Sequence, residues 1–102
     1  MGKTRLEFQT FLETLKGDRN VYFQAPSSVL MKYPAIRYNL ADLNDLPADN
    51  IDYQNFTAYM VTYITSNPDD VMIKTLAKLP YSNFNQWYAK DNLNHYVYTI
   101  FY

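Results

Sequence analysis

The chain has 102 residues, a formal net charge of −1 and no cysteine. This length is typical of one domain, and we expect a single domain over residues 1–102. The lack of cysteine excludes disulfides and thiolate metal sites. The small net charge provides no general attraction to nucleic acid or anionic membranes, and no apolar run is long enough to span a membrane. The unusual feature is the number of tyrosines, eleven. Tyrosine favours strands and partly solvent-exposed surfaces.

The first predicted element is an amphipathic helix near the N-terminus. Thr4 and Glu7 have the spacing of a capping box, and Gly17 is a natural stop. Between them, apolar residues recur at helical spacing and form one stripe: Phe8, Phe11, Leu12 and Leu15. The helix must therefore bury one side, against a sheet or against another subunit.

The next segments read as strands. Residues 21–23 predict a connector or a short strand, and residues 35–40 alternate apolar with polar side chains, as a strand with one buried face does. Residues 56–65 predict a long strand that is apolar on both faces. A hairpin from residues 35–40 to residues 56–65 is the expected arrangement, across the loop of residues 41–55.

A second helix is predicted after this hairpin. Asn67 is a good N-cap, Pro68 suits the first helical position, and the helix should run to about Leu79, before Pro80. Its buried stripe would consist of Met72, Ile73, Leu76 and Leu79.

The last two strands should form a hairpin. Residues 81–89 predict a shorter strand, residues 90–92 a turn, and residues 93–102 a final strand. On this final strand neither face is polar, so both faces need cover.

The order α-β-β-α-β-β predicts an α+β fold, with a small antiparallel sheet and two helices packed on it. If both helices lie on one face, the other face of the central strands would be a large exposed apolar patch. We therefore expect an oligomer.

No pattern indicates catalysis, a cofactor or a metal site. The acidic loop contains four carboxylates, but it lacks the spacing and the central glycine of an EF-hand, so a solvated loop is expected: Asp42, Asp45, Asp49 and Asp52. The single histidine, His95, lies within a strand pattern and has no nucleophile elbow nearby. The chain is therefore predicted not to be an enzyme.

Two segments carry a family resemblance. Residues 21–36, VYFQAPSSVLMKYPAI, and residues 79–98, LPYSNFNQWYAKDNLNHYVY, resemble small proteins encoded in the structural-gene region of tailed bacteriophages. Such proteins are described as tail completion, tail terminator or neck proteins. The resemblance covers most of the chain from about residue 20 onward, and the DNLNHY stretch is its most specific part.

The resemblance implies a structural protein of the virion tail or neck, made in the cytoplasm of the bacterial host. It implies a ring, commonly of six subunits, that caps the tail tube and joins it to the head connector, while DNA passes through without specific binding. A ring needs a heterologous interface. The doubly apolar strands are candidates for it, with predicted contacts at Tyr59, Tyr63, Tyr96 and Tyr98, although the same tyrosines would also suit a core. The acidic loop (Asp42, Asp45, Asp49, Asp52) is a candidate to line the lumen, where negative charge would repel DNA.

Two alternatives remain open from the sequence. One is another neck or minor tail component, such as a head-tail stopper. The other is a small adaptor unrelated to phages that binds a peptide along a sheet edge.

Overall fold

The computed structural model describes residues 4–24, 31–41 and 57–102. Within these residues it contains two helices and five strands in the following order: α1 (Arg5–Lys16), β1 (Val21–Phe23), β2 (Ala35–Leu40), β3 (Ala58–Thr65), α2 (Val71–Ala77), β4 (Ser82–Lys90) and β5 (Leu93–Phe101). The α+β class is confirmed. The predicted order lacks one strand, β1, because three residues are too few to show a strand's alternation.

The five strands form one mixed sheet in the order β1-β2-β3-β5-β4. β1 pairs parallel to β2, whereas the other neighbours are antiparallel. The fully antiparallel sheet that the sequence predicted is therefore wrong at this edge. A parallel neighbour needs a crossover connection, and turn signals alone do not reveal one. The two predicted hairpins, β2 with β3 and β4 with β5, are confirmed.

α1 begins and ends where its sequence predicts. Thr4 accepts the N–H of Glu7 at 3.2 Å, and the carboxylate of Glu7 accepts the N–H of Thr4 at 3.1 Å. Gly17 follows the helix with φ 91°, in the left-handed region that favours glycine. The capping box and the glycine stop thus define both ends.

α2 starts three residues later than predicted. Asn67 makes a turn instead of the cap, since its side chain accepts the N–H of Asp69 and its carbonyl accepts the N–H of Asp70. Asp70 is the N-cap and accepts the N–H of Met72 at 3.0 Å. The later start places the capping carboxylate within reach of strand β3, where Tyr63 donates to it.

Both helices lie on one face of the sheet, which we call the helix face. Phe8 of α1 stacks on Tyr59 with ring centroids 4.3 Å apart and meets Tyr38 edge-on at 5.4 Å. On the α2 side, the hydroxyl of Tyr98 donates to the Ile73 carbonyl at 2.7 Å. Among the described residues, the core on this face includes Phe8, Leu12, Val21, Ile36, Tyr38, Tyr59, Val61, Tyr63, Met72, Leu76, Tyr98 and Ile100.

The opposite face of the sheet, the second face, is also buried. Its buried residues are Ala35, Thr62, Ile64, His95, Val97, Thr99 and Phe101. Part of the cover is local: Tyr88 stacks on His95, and the Tyr22 hydroxyl accepts the N–H of Lys32 at 3.3 Å. Both faces of the last strand are covered, as its pattern required, but the cover comes from the chain itself. The prediction of a bare second face is therefore wrong, and it gives no reason to expect an oligomer.

Candidate assembly surface on the edge strand

Strand β4 lies at the edge of the sheet and carries exposed aromatic side chains. Phe84 is 52 % exposed and Trp87 54 % exposed, and Tyr81 just before the strand is similarly open. Their neighbour on the other side, β5, is buried on both faces. A long edge strand with exposed large apolar residues is unusual in a monomeric protein, because it invites pairing with another chain.

The tight hairpin turn of Asp91 and Asn92 positions β4. Both residues have positive φ, 56° and 63°, as the two central positions of a type I′ turn require. Asparagine and aspartate tolerate this left-handed region better than other side-chain-bearing residues do. The turn therefore fixes the register in which Phe84 lies opposite Tyr98 and Trp87 opposite Tyr96.

A β-bulge interrupts β4 in its middle. The register shifts between Phe84 and Gln86, so Asn85 is an extra residue on this strand. The amide of Asn85 donates to the Thr99 hydroxyl at 2.7 Å, which ties the bulge to the second face. Because of the extra residue, Phe84 and Trp87 both project from the helix face, three positions apart instead of two.

Among the residues that the structure describes, no strand pairs with the outer side of β4, so its outward backbone groups lie along a sheet edge. At the end of β5, Tyr102 exchanges two hydrogen bonds with Thr57, which precedes β3. By contrast, the N–H of Phe101 donates to the carbonyl of Tyr81, which precedes β4, at 3.0 Å. Consecutive strand residues bond to opposite neighbours, so the even residues of β5 bond to β3 and the odd ones to β4. Phe84 and Trp87 lie opposite even residues. Their N–H and C=O groups consequently point away from the sheet.

At the other edge of the sheet, in the part of the chain that the structure describes, a side chain already bonds to an outward backbone group. β1 is three residues long, and the amide of Gln9 donates to the outward carbonyl of Val21 at 3.0 Å. The same Gln9 accepts a hydrogen bond from the Tyr38 hydroxyl, which holds it in place. The two edges therefore differ, and β4 is the one suited to strand pairing.

The charge of β4 does not protect its edge. Lys90, at the end of the strand, is its only charged residue. Edge strands that avoid pairing commonly carry charges near their middle. Here the middle is formed by uncharged amide and aromatic side chains, Phe84 to Tyr88, and only the bulge disturbs the pairing pattern.

The imidazole of His95 on β5 lies on the second face, beside Tyr88 of β4. Its ring stacks on Tyr88 at 4.6 Å, and its Nδ1 lies 3.3 Å from the Leu93 carbonyl. Burial lowers the pKa of His95 below its usual 6.5, and the positive charges of Arg37 and Lys90 act in the same direction. The geometry indicates a neutral, structural histidine.

The tyrosines predicted to make subunit contacts lie mostly in the core. Tyr59, Tyr63 and Tyr98 are buried, and only Tyr96 is part-exposed. Burial raises the pKa of Tyr98 to about 12, as expected for a phenol out of water. Three of the four therefore have no surface to offer a neighbour, and the structure favours the core interpretation for them.

The other sequence-based expectations concern the acidic loop and metal binding. Asp42, Asp45, Asp49 and Asp52 lie outside the described residues. Within residues 4–24, 31–41 and 57–102, no group of three or more acidic or histidine side chains is placed to hold a metal. Neither of the helices described is long and apolar enough to cross a membrane.

A shallow groove between α1 and the C-terminal residue is a second apolar feature. It encloses about 510 Å³ and is lined by Leu6, Glu7, Thr10, Phe11, Thr14 and Tyr102. Its carboxylate, Glu7, is engaged in the helix cap. The groove brings together no acid, base and nucleophile, so it offers no arrangement for catalysis.

The sequence pattern did not single out β4 as a surface. Phe84, Trp87 and Tyr88 were visible as apolar positions of a strand, but the bulge breaks their alternation. One signal could have identified the edge. A strand that is apolar on both faces belongs in the centre of a sheet, and its hairpin partner then becomes the edge candidate.

Comparison of the chain with protein-family models, with curated proteins and with solved structures finds no match. The surface of β4 and the resemblance of the sequence are therefore the two features that bear on function.

Proposed function

We propose that this protein is a structural component of a tailed-phage virion, of the tail completion or tail terminator type, and not an enzyme. In this proposal it binds at the head-proximal end of the tail tube, stops tube growth and joins the tube to the head connector. The observation that carries the proposal is the open aromatic edge of β4, which is suited to assembly with other proteins.

The sequence resemblance and the edge strand fall on the same part of the chain. The segment of residues 79–98 includes all of β4 and the turn of Asp91 and Asn92. Exposed Phe84 and Trp87 would bury their rings at a contact, and aromatic side chains supply much of the binding energy in protein interfaces. The proposed contact with the tube or connector therefore uses β4.

The family further suggests a ring of about six copies, built through a heterologous contact. A head-tail stopper or another neck protein would use the same edge on a different partner. A peptide-binding adaptor is the second candidate, since a free edge also accepts an extended peptide. The partner that β4 recognises separates these functions.

The test uses the tail-tube protein encoded in the same genome. Purified tube protein is polymerised with and without this protein, and the tubes are measured by negative-stain electron microscopy. A terminator gives shorter tubes that carry a ring at one end. Tubes of unchanged length without a ring would contradict the terminator role.

A matched pair of variants links the activity to the edge. Trp87→Ser removes the exposed indole from β4, whereas Leu40→Ser removes a side chain of similar exposure, 53 % against 54 %, from β2. We expect Trp87→Ser to lose tube capping and Leu40→Ser to retain it. Equal loss in both variants would contradict a role for β4.

A further inference from the structure

We propose that β4 of the free protein pairs with β4 of a second copy, antiparallel and about a two-fold axis, to form one continuous ten-stranded sheet. This contact goes beyond the proposed virion role and does not depend on it. The partner of the open edge is then the same strand of an identical chain, paired in a defined register.

In one register, opposed residues project from the same face of the sheet and their outward backbone groups can form hydrogen bonds. It places Phe84 opposite Trp87 of the second copy, and Trp87 opposite Phe84 of the second copy. Both residues project from the helix face and both turn their backbone groups outward, so each becomes a hydrogen-bonded pair. Asn83 then lies opposite Tyr88 of the second copy, and both belong to the second face.

The bulge favours an identical strand over an ordinary peptide. Between Phe84 and Trp87, β4 has two residues, Asn85 and Gln86, where a regular strand has one. A regular peptide would fall out of register after the first hydrogen-bonded pair. A second copy of β4 contains the same extra residue, so Asn85 meets Gln86 of the second copy and the register continues.

The charges and the aromatic rings are compatible with the two-fold contact. Lys90 is the only charge on β4, and in this register it lies opposite Tyr81 of the second copy, far from the second Lys90. The two Phe84–Trp87 pairs form cross-strand aromatic pairs on one face, an arrangement that stabilises antiparallel strands.

The other edge of the sheet does not offer the same opportunity. The outward carbonyl of Val21 on β1 already accepts the amide of Gln9. Head-to-tail pairing of β4 with β1 of a neighbour would have to displace that bond along a strand of three residues.

A two-fold contact closes at two copies, so it describes the free protein and cannot alone build a ring. On binding to a tail, β4 would then release the second copy and pair with a tail protein.

Cysteine cross-linking tests the register directly, because the natural chain has no cysteine. Asn83→Cys and Tyr88→Cys are made as two separate variants, checked for folding by circular dichroism, mixed and oxidised. Opposed positions of a non-hydrogen-bonded antiparallel pair have Cα atoms about 4.5 Å apart, within reach of a disulfide. In the proposed register, two copies of one variant place their cysteines about 15 Å apart, which is too far to bridge.

We expect a cross-linked dimer from the mixture and little from either variant alone. Equal cross-linking of the single variants, or none in the mixture, would overturn the register. Light scattering gives the second measurement: the unmodified chain should rise with concentration toward twice 12.1 kDa, Trp87→Ser should remain a monomer, and Leu40→Ser should behave like the unmodified chain. A monomer at every concentration, or equal loss of the dimer in both variants, would overturn the pairing itself.

Discussion

At the scale of single residues, Asp70 joins helix α2 to the sheet. Its carboxylate accepts the Tyr63 hydroxyl at 2.6 Å, the Thr65 hydroxyl at 3.2 Å and the N–H of Met72 at 3.0 Å. Burial acts to raise the pKa of Asp70, but these three hydrogen bonds, together with the positive charge of Lys16, outweigh it and hold the pKa below the usual 3.8. One side chain thus caps the helix and satisfies a buried tyrosine.

Replacement of Asp70 should therefore destabilise the fold. Asp70→Ala removes the cap and leaves the buried Tyr63 hydroxyl without its acceptor, so we expect a loss of about 3 kcal/mol in the free energy of unfolding. Thermal unfolding should show a Tm lower by about 15 °C for a domain of this size. The control is Asp69→Ala at the exposed neighbouring position, which should change stability by less than about 0.5 kcal/mol. Similar losses in both variants would contradict the assigned role.

His95 should make stability depend on pH in the mildly acidic range. Its pKa is lower in the folded protein than in the unfolded chain, so the unfolded chain binds more protons as the pH falls below about 6.5. Stability is then fully present above that pH and declines below it, until the folded form also protonates. The charged groups facing the imidazole are Arg37, Lys90 and Asp91.

The measurement is urea unfolding at a series of pH values from 8 to 5, near the ordinary titration range of histidine. His95→Gln keeps a polar side chain without titration, and its stability should fall less across this range than that of the unmodified protein. Parallel curves for the two proteins would show that His95 does not titrate differently on folding.

At the scale of elements, the turn between β4 and β5 is a point where the backbone restricts the residue type. Asn92 has φ 63°, a conformation that costs an ordinary side-chain-bearing residue about 1–2 kcal/mol. Asn92→Ala should therefore lower the free energy of unfolding by about 1 kcal/mol, whereas Asn92→Gly should maintain or raise it, since Asp-Gly suits this turn. Chemical denaturation of both variants makes the comparison, and an equal effect of Ala and Gly would contradict the strain.

The elements with strong local signals were predictable from the sequence, and those fixed by long-range contacts were not. The capping box, Gly17 and the 90–92 turn act within a few residues, and the structure places them as predicted. The short parallel strand β1 depends on pairing with β2, which no local pattern encodes. The start of α2 was misplaced because Asn67 and Asp70 are both good caps, and only the contact with Tyr63 decides between them.

The sequence pattern did not reveal the candidate surface, for a related reason. Apolar patterning identifies side chains that need burial, and on β3 and β5 it identified them correctly. It does not separate burial within the chain from burial at an interface, so Tyr59, Tyr63 and Tyr98 were assigned to both. Their core position follows from the two helices on one face, which is a property of the topology.

At the scale of the whole molecule, the sheet is asymmetric in a way that should appear in its dynamics. The central strands β3 and β5 are buried on both faces, and their amides should exchange with solvent only through global unfolding. Among the strands that the structure describes, β4 pairs only with β5. The strand therefore has two sets of amides. Those of Asn83 and Tyr88 bond to β5, whereas those of Phe84 and Trp87 point outward.

Amide exchange measured by NMR at several protein concentrations separates these two sets. If a second copy pairs with β4, the amides of Phe84 and Trp87 gain protection as the concentration rises, while those of Asn83 and Tyr88 change little because their bonds lie within the monomer. In Trp87→Ser the Phe84 amide should stay unprotected at every concentration, since the variant lacks the aromatic ring that packs against the second copy. A Phe84 amide that exchanges as fast as a loop amide in the concentrated unmodified protein would show that the edge stays open, and β4 would then be available to another partner without competition from its own copy.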